Sequence, residues 1–292
     1  MKETPLKAKS STGQPLEFVT SFSTQLSFVI GSHGEFSTGK SRLGVTGPDL
    51  TFFLPIDMKS RRTVENNMRS MGKKFGKNIL IPPENFIEQI NPMQAARLDE
   101  ETSKKFYRDR VERCKEYLLA AHDHKDVRLI VIDDATALYQ DISFACYGRD
   151  GWKVKKIGDT KTYKDKSVAD QEYIDLIRAL GTKPLLLLHK SKDDYGDGVS
   201  NKKSNKPIGR TYEGYKWTGN LCMVGIMHEF NRQFDEESDD MNWRFRVTVQ
   251  ACQDRVELQG PDGVGLLRDE MLTLGNLMPL VFPDSNWDSW QE

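Results

Sequence analysis

The residues best suited to chemistry lie between positions 26 and 46, where an apolar run leads into a glycine-bounded loop. Gly34, Gly39, Lys40 and Ser41 fill the pattern G-x-x-x-x-G-K-[ST], the phosphate-binding P-loop. Glycines at this spacing let backbone N–H groups point inward round a phosphate, and the following helix adds the positive end of its dipole. The predicted phosphate-binding residues are Gly34, Glu35, Phe36, Ser37, Thr38, Gly39, Lys40, Ser41 and Arg42. The alternative is an accidental match in a Gly/Ser loop.

Two side chains of this loop are predicted to act on a nucleotide and a metal ion. Lys40 would reach the β- and γ-phosphates as a point charge, and the Ser41 hydroxyl would bind Mg²⁺. Further along, residues 127–132 form a nearly unbroken apolar run, typical of a strand buried on both faces. This run ends at Asp133 and Asp134, and Asp133 is the predicted second Mg²⁺ ligand, with Asp134 as the alternative. A role of both aspartates in capping the next turn is the competing interpretation.

Strands and helices alternate along the chain, which predicts an α/β fold with a mostly parallel central sheet, helices on both faces and antiparallel strands near the C-terminus. Strands are predicted at 26–31, 51–56, 78–81, 127–132, 184–188, 221–228, 243–250 and 255–258, and helices over 101–122 and 167–181. A basic helical stretch follows residue 57. The predicted organisation is a flexible lead-in over 1–20, one domain over 21–282 and an acidic, aromatic tail over 283–292.

Composition and charge exclude several classes of protein. The chain has 292 residues, of which 37% are hydrophobic and 29% charged, and this is the composition of a folded globular protein. Its four cysteines form no C-x-x-C pair, so neither a zinc site nor a disulfide framework is indicated. No apolar run approaches 18 residues, so no membrane span is expected. We expect a protein of the cytoplasm.

A histidine follows the predicted strand at 184–188. A polar residue at the tip of a strand beside Asp133 is well placed to contact a γ-phosphate, so His189 is a candidate sensor of phosphate loss. The alternative is a solvated loop residue.

Two long basic segments, 147–167 and 190–210, follow predicted strands or helices and suit a nucleic acid. Their lysines would meet a phosphate backbone, and Tyr147, Trp152 and Tyr163 would stack on bases, which predicts binding of single-stranded DNA. The lysines that we single out are Lys153, Lys155, Lys156, Lys202, Lys203 and Lys206. Ordinary solvated surface is the alternative.

An acidic segment at 229–242 is predicted to form a hairpin tip, with metal binding as its alternative.

With the P-loop, the IVIDDATAL strand end and the LLLLHKS strand end in view, the chain resembles the RecA-like P-loop ATPases of phages, over about residues 25–260. It looks most like the single-strand annealing and recombination group. The resemblance implies ATP hydrolysis with Mg²⁺, assembly into rings or filaments, and DNA-binding loops. The acidic, aromatic composition of the tail predicts a peptide that docks on a neighbour or on a single-strand-binding protein.

The resemblance also implies two further catalytic groups. An acidic residue after the second strand activates the attacking water, and here that position falls on Asp57, with Glu65 and Asp134 as alternatives. A cation from the next subunit neutralises the transferring phosphoryl group. The candidates for that cation are Arg210, Lys216, Arg244, Arg246 and Arg255.

The sequence therefore predicts a Mg²⁺-dependent ATPase that acts on single-stranded DNA, with Lys40, Asp57, Asp133 and His189 as its catalytic residues. Two other functions remain open. One is a DNA-packaging or helicase-type motor, and the other is a nucleotide-dependent assembly switch with little turnover.

Overall fold

The computed structural model describes residues 8–9, 15–16, 28–35, 38–56, 58–84, 86, 97–151, 160–194, 209–215, 218–235, 240–252, 273–283, 287 and 290. Its strands are β1 (Ala8–Lys9), β2 (Pro15–Leu16), β3 (Val29–Gly34), β4 (Thr51–Pro55), β5 (Ile79–Leu80), β6 (Leu129–Asp133), β7 (Leu185–Asp194), β8 (Gly209–Tyr212), β9 (Val224–Asp235) and β10 (Asp240–Cys252). Its helices are α1 (Lys40–Val45), α2 (Met58–Ser70), α3 (Glu100–Asp123), α4 (Ala135–Gly151), α5 (Thr160–Leu180), α6 (Thr218–Leu221) and α7 (Leu274–Val281).

Eight strands form one central sheet. Seven of them lie in the order β10-β9-β3-β7-β6-β4-β5, and β8 pairs with β7. The pairings from β9 across to β5 are parallel, whereas β10 on β9 and β8 on β7 are antiparallel. The predicted α/β fold class, with a mostly parallel sheet and antiparallel strands late in the chain, is confirmed.

Helices cover both faces of the sheet because its central strands are apolar on both sides. Leu54, Ile130 and Leu187 pack with residues of α3, α4 and α5 in one hydrophobic cluster. Their neighbours in sequence, Phe53 and Val131, point to the other face and pack with residues of α1, α2 and α7. Such strands give continuous apolar runs, which explains why the pattern at 127–132 identified β6.

The expected loop over 147–167 is wrong at both ends. Helix α4 continues to Gly151, and α5 begins at Thr160. Gly148 interrupts α4, with φ 75° and ψ 169°, but the helical turn resumes after it. Tyr147 is 8% exposed and packs in the core, so its ring is not a stacking surface for bases.

The antiparallel pair β9 and β10 extends well beyond the rest of the sheet. Strand β3 pairs with β9 only from Val224 to His228. From there, β9 and β10 pair with each other to Asp235 and Asp240, which at about 3.4 Å per residue makes a two-stranded ribbon roughly 20 Å long. The ribbon begins beside the end of the P-loop strand. The tip of the predicted acidic hairpin, 236–239, lies outside the described residues.

Aromatic residues from the predicted tail belong to the core. Trp287 and Trp290 are 3% and 6% exposed, and both rings lie 6.0 Å from the ring of Phe28. The indole N–H of Trp287 donates a hydrogen bond to the carbonyl oxygen of Phe282, at 2.8 Å. At the other end, β1 and β2 pair within the predicted lead-in. None of the described helices is long and apolar enough to span a membrane.

We predict that Trp287→Ala lowers the free energy of unfolding by about 3 kcal/mol, because it leaves a cavity beside Phe28 and an unpaired carbonyl at Phe282. Urea denaturation followed by circular dichroism measures the change. Val168→Ala is the control, since that side chain is 53% exposed and should change stability by less than about 0.5 kcal/mol. Equal stability of the two variants would contradict a core role for the indole.

Candidate phosphate-binding site

The P-loop joins the end of β3 to the start of α1 at Lys40. Gly39 has φ 91°, a conformation that favours glycine. A Cβ atom on Gly34 would lie 2.6 Å from the carbonyl oxygen of His228 and 2.7 Å from the Thr38 hydroxyl, so only glycine fits there. Thr38 in turn donates to the carbonyl oxygen of Glu35, at 2.9 Å. Both glycines of the motif are therefore required by geometry that the structure shows. Phe36 and Ser37 lie outside the described residues.

Lys40 is already turned into the loop. Its Nζ donates to the carbonyl oxygens of Gly34, at 2.7 Å, and Glu35, at 2.5 Å. Burial lowers the pKa of Lys40 to about 8, although the carboxylates of Asp133, Asp134 and Glu35 oppose that shift. An anionic phosphate in the loop would stabilise the charged form of the Lys40 ammonium group.

Ser41 and Asp133 meet although 92 residues separate them in sequence. The Ser41 hydroxyl donates to Oδ2 of Asp133, at 2.6 Å, and the carboxylate is 6% exposed. The sheet brings them together, because β7 lies between β3 and β6 and the carboxyl ends of these parallel strands lie side by side. A hydroxyl and a carboxylate are oxygen ligands of the kind that Mg²⁺ takes, so this pair fits the predicted metal site.

Asp134 has a structural role beside this pair. Its Oδ1 accepts from the backbone N–H groups of Thr136, at 2.7 Å, and Ala137, at 3.2 Å, which caps the start of α4. Its Oδ2 lies 3.5 Å from Nζ of Lys190. The competing interpretation, a capping aspartate, therefore describes Asp134, and the metal role of Asp133 stays a prediction.

The residue that activates water is not fixed by the described geometry. Asp57 lies outside the described residues, but Ile56 before it donates its N–H to the carbonyl oxygen of Asp133, at 2.6 Å, so the chain passes next to that aspartate. Glu65, one of the alternatives, accepts from Nε of Arg61, at 3.0 Å. Asp57 stays the prediction for this role.

His189 is not at the tip of a strand, nor in a solvated loop. Strand β7 continues past it to Asp194, and the ring is fully buried, edge-on to Tyr212 with ring centroids 5.3 Å apart. Its Nδ1 lies 3.3 Å from the Thr136 hydroxyl, and its Nε2 has no hydrogen-bond partner among the described residues. Burial lowers the pKa of His189 to about 3, so the ring is neutral. Its predicted role as a sensor is untested.

Two further buried histidines contact the site, and the sequence analysis missed both. Nδ1 of His228 lies 3.3 Å from the carbonyl oxygen of Thr38, and because a carbonyl only accepts, Nδ1 carries the proton. His33 precedes Gly34, and its Nδ1 and Nε2 contact the Ser191 hydroxyl, at 2.7 Å, and Oε1 of Gln250, at 2.5 Å. Burial lowers the pKa of His33 to about 4 and of His228 to about 3. No local sequence pattern marks these rings, because their partners are 158 to 217 residues away.

Arg210 belongs to this network and reaches the P-loop of its own chain. Its guanidinium lies 2.5 Å from Oε1 of Glu35, the second residue of the motif. Its carbonyl oxygen accepts from Nε2 of Gln250, at 3.3 Å, which links it to His33. The sequence analysis offered Arg210 as a cation for the next subunit, whereas here it faces the loop in cis.

Several predicted residues are not described. Lys153, Lys155, Lys156, Lys202, Lys203 and Lys206, the predicted nucleic-acid ligands, lie outside the described residues, as do Lys216 and Arg255. For Arg244 and Arg246, on β10, the structure describes the backbone alone. Arg42 is half-buried on α1.

Comparison with known proteins gives a structural likeness but no match in sequence. No protein-family model and no curated protein matches the chain. Among solved structures, the chain is similar to the RadB recombinase, with 9% sequence identity and a TM-score of 0.42 over 82% of this chain and 86% of that chain.

We predict that the three buried histidines make the protein sensitive to acid. An unfolded histidine takes up a proton near pH 6.5, whereas the native rings resist protonation until pH 4 to 3. Stability is therefore complete above pH 6.5 and is lost as the pH falls, by roughly 2 kcal/mol per ring at pH 5. Urea denaturation at pH 7 and pH 5 measures this loss.

The remaining two histidines supply the control. His122 and His124 are half-buried and exposed at the end of α3, so replacing either with Gln should leave the loss between pH 7 and pH 5 unchanged. His33→Gln should reduce it. A wild-type protein equally stable at both pH values would contradict the prediction.

Proposed function

We propose that the protein is a Mg²⁺-dependent ATPase of RecA-like type that acts on DNA in recombination or repair. The observation that carries the proposal is the meeting of Ser41 with Asp133 at 2.6 Å beside the ammonium group of Lys40. A P-loop that matched the motif by accident would have no reason to bring a serine hydroxyl, a buried carboxylate and a half-buried lysine together.

The proposed chemistry depends on positioning and charge. Backbone N–H groups of the loop and the start of α1 would hold the phosphates, and Lys40 would exchange its carbonyl partners for phosphate oxygens. Ser41 and Asp133 would hold Mg²⁺, which neutralises charge on the β- and γ-phosphates when bound. Asp57 is the proposed base that orients the attacking water.

The proposal also includes a nucleic-acid partner and an assembly of subunits. Single-stranded DNA is favoured because the basic segment 190–210 joins two elements of the site: β7 carries His189 and leads into 195–208, and β8 follows with Arg210. Assembly into rings or filaments of the phage type, a single-strand-binding protein as partner and a cytoplasmic location are further expectations. A packaging or helicase-type motor, or a switch with little turnover, is the alternative.

We predict that ATP hydrolysis with Mg²⁺ is stimulated by single-stranded DNA and is abolished in Lys40→Ala, because no other described cation enters the loop as Lys40 does. Release of phosphate is measured with no DNA, with single strands and with duplex. Arg178→Gln, an exposed charge on α5, is the matched control and should turn over normally. Normal turnover by Lys40→Ala would refute the site, and equal rates with and without DNA would favour the switch.

Arg210 is proposed to act on the site of its own chain. Its pair with Glu35 is partly exposed, with side chains 36% and 59% accessible, so it stabilises the fold by less than about 1 kcal/mol. Because the pair with Glu35 adds so little stability, the guanidinium can leave Glu35 at small cost and contact a phosphate bound in the loop.

We predict that Arg210→Gln slows hydrolysis about tenfold or more without loss of stability. Mixing these subunits with Lys40→Ala subunits distinguishes the two arrangements. If Arg210 acts in cis, no site in the mixture has both groups and activity stays low. Recovery of activity on mixing would show that Arg210 serves the neighbouring subunit and would contradict the prediction.

A further inference from the structure

The solvent face of α2 is uniformly basic or neutral. Lys59, Arg62, Asn66 and Arg69 are exposed there, while Val64 and Met68 on the opposite face are buried. Arg62 and Arg69 are two helical turns apart, or about 10 Å at 1.5 Å per residue. The helix therefore presents cations in a line on its outer face.

The turn after α2 adds further exposed cations and an aromatic ring. Lys74, Phe75 and Lys77 are all exposed, and Phe75, at 48%, is the one aromatic residue among the exposed large hydrophobic side chains of the described chain. We call Arg62, Arg69, Lys74, Lys77 and Phe75 the basic strip.

The turn that carries Phe75 is held firmly. Asn78 accepts the backbone N–H of Lys74 on its Oδ1, at 2.8 Å, and donates from Nδ2 to both carboxylate oxygens of Asp49. Lys73 donates from Nζ to the carbonyl oxygen of Gly47, at 2.6 Å, and Gly76 donates its N–H to Ile79, at 2.9 Å. The exposed ring is thus presented by an ordered loop.

The charge of the region is strongly unbalanced in a chain whose net charge is −1. Between 58 and 77 there are seven Lys or Arg residues and a single acidic residue, Glu65, which pairs with Arg61. Asp49, which lies beside the turn after α2, is bound by Asn78. Within the described residues, no carboxylate lies within 4 Å of the cations of the basic strip. The fold leaves these cations available to a partner.

We infer that the basic strip binds a single-stranded nucleic acid, with its cations on phosphates and Phe75 stacked on a base. Cations in a line suit a phosphate backbone, and an exposed ring between lysines suits unpaired bases, whereas a duplex hides its base faces. The strip is separate in sequence from the segments 147–167 and 190–210. The inference rests on the proposed function and extends it with a second contact surface for the same partner.

The test measures binding of fluorescein-labelled oligo(dT) to the full chain by anisotropy, without nucleotide. The quadruple variant Arg62→Gln, Arg69→Gln, Lys74→Gln, Lys77→Gln should bind at least tenfold more weakly at moderate salt. The slope of log affinity against log salt should fall by about 3, since each lost phosphate contact on a single strand removes about 0.7. Phe75→Ala should weaken binding about fivefold or more, and Phe75→Trp should restore it.

A matched control removes equal charge elsewhere. The variant Lys105→Gln, Lys125→Gln, Arg128→Gln, Arg178→Gln alters four exposed cations and should bind oligo(dT) as the wild type does. Basal ATP hydrolysis without DNA should be equal in both quadruple variants, so loss of the strip and loss of the ATPase site are distinguishable.

Three results would overturn the inference. The first is equal binding by the two quadruple variants. The second is wild-type binding by Phe75→Ala, because unpaired bases would then not stack on that ring. The third is a change of oligomeric state in the strip variant, seen by light scattering, with oligo(dT) binding unchanged; the strip would then be a protein interface.

Discussion

The parallel pairing of β3 with β7, and of β7 with β6, fixes every distance in the candidate site. His33 pairs with His189 across one interface, and Asp133 pairs with Leu188 across the other. A slip of one residue in either register would turn the side chains to the opposite face and separate Ser41 from Asp133. The apolar faces of these strands prevent such a slip, because each is buried under helices on its own side. Hydrophobic burial thus positions the polar site at the carboxyl ends of the central parallel strands.

Much of this arrangement follows from local sequence. The alternation of strands and helices predicted the fold class. The P-loop spacing and the apolar run before Asp133 predicted the two residues, Ser41 and Asp133, that meet at 2.6 Å. These features are readable because each arises within about ten consecutive residues. The sequence also marked the basic stretch after residue 57, now the outer face of α2.

What the sequence did not reveal depends on contacts between distant segments. Nothing near His33 indicates that Gln250 accepts from its ring, and nothing near Arg210 indicates Glu35 as its partner. His189 was placed at a strand tip because the polar residues after it looked like a loop, yet they form the continuation of β7 with β8 as its partner. Tyr147 was predicted to lie in a basic loop, but α4 continues past it to Gly151 and its ring packs in the core.

The ribbon of β9 and β10 gives the molecule a mechanical property. At its base, β9 pairs with β3 up to His228. There His228 contacts the P-loop carbonyl of Thr38, and Gln250 contacts His33 and the backbone of Arg210. A two-stranded ribbon about 20 Å long acts as a lever, so a small force at its tip produces a larger one at that base. Whatever pulls on the ribbon therefore pulls on the loop that would hold the phosphates.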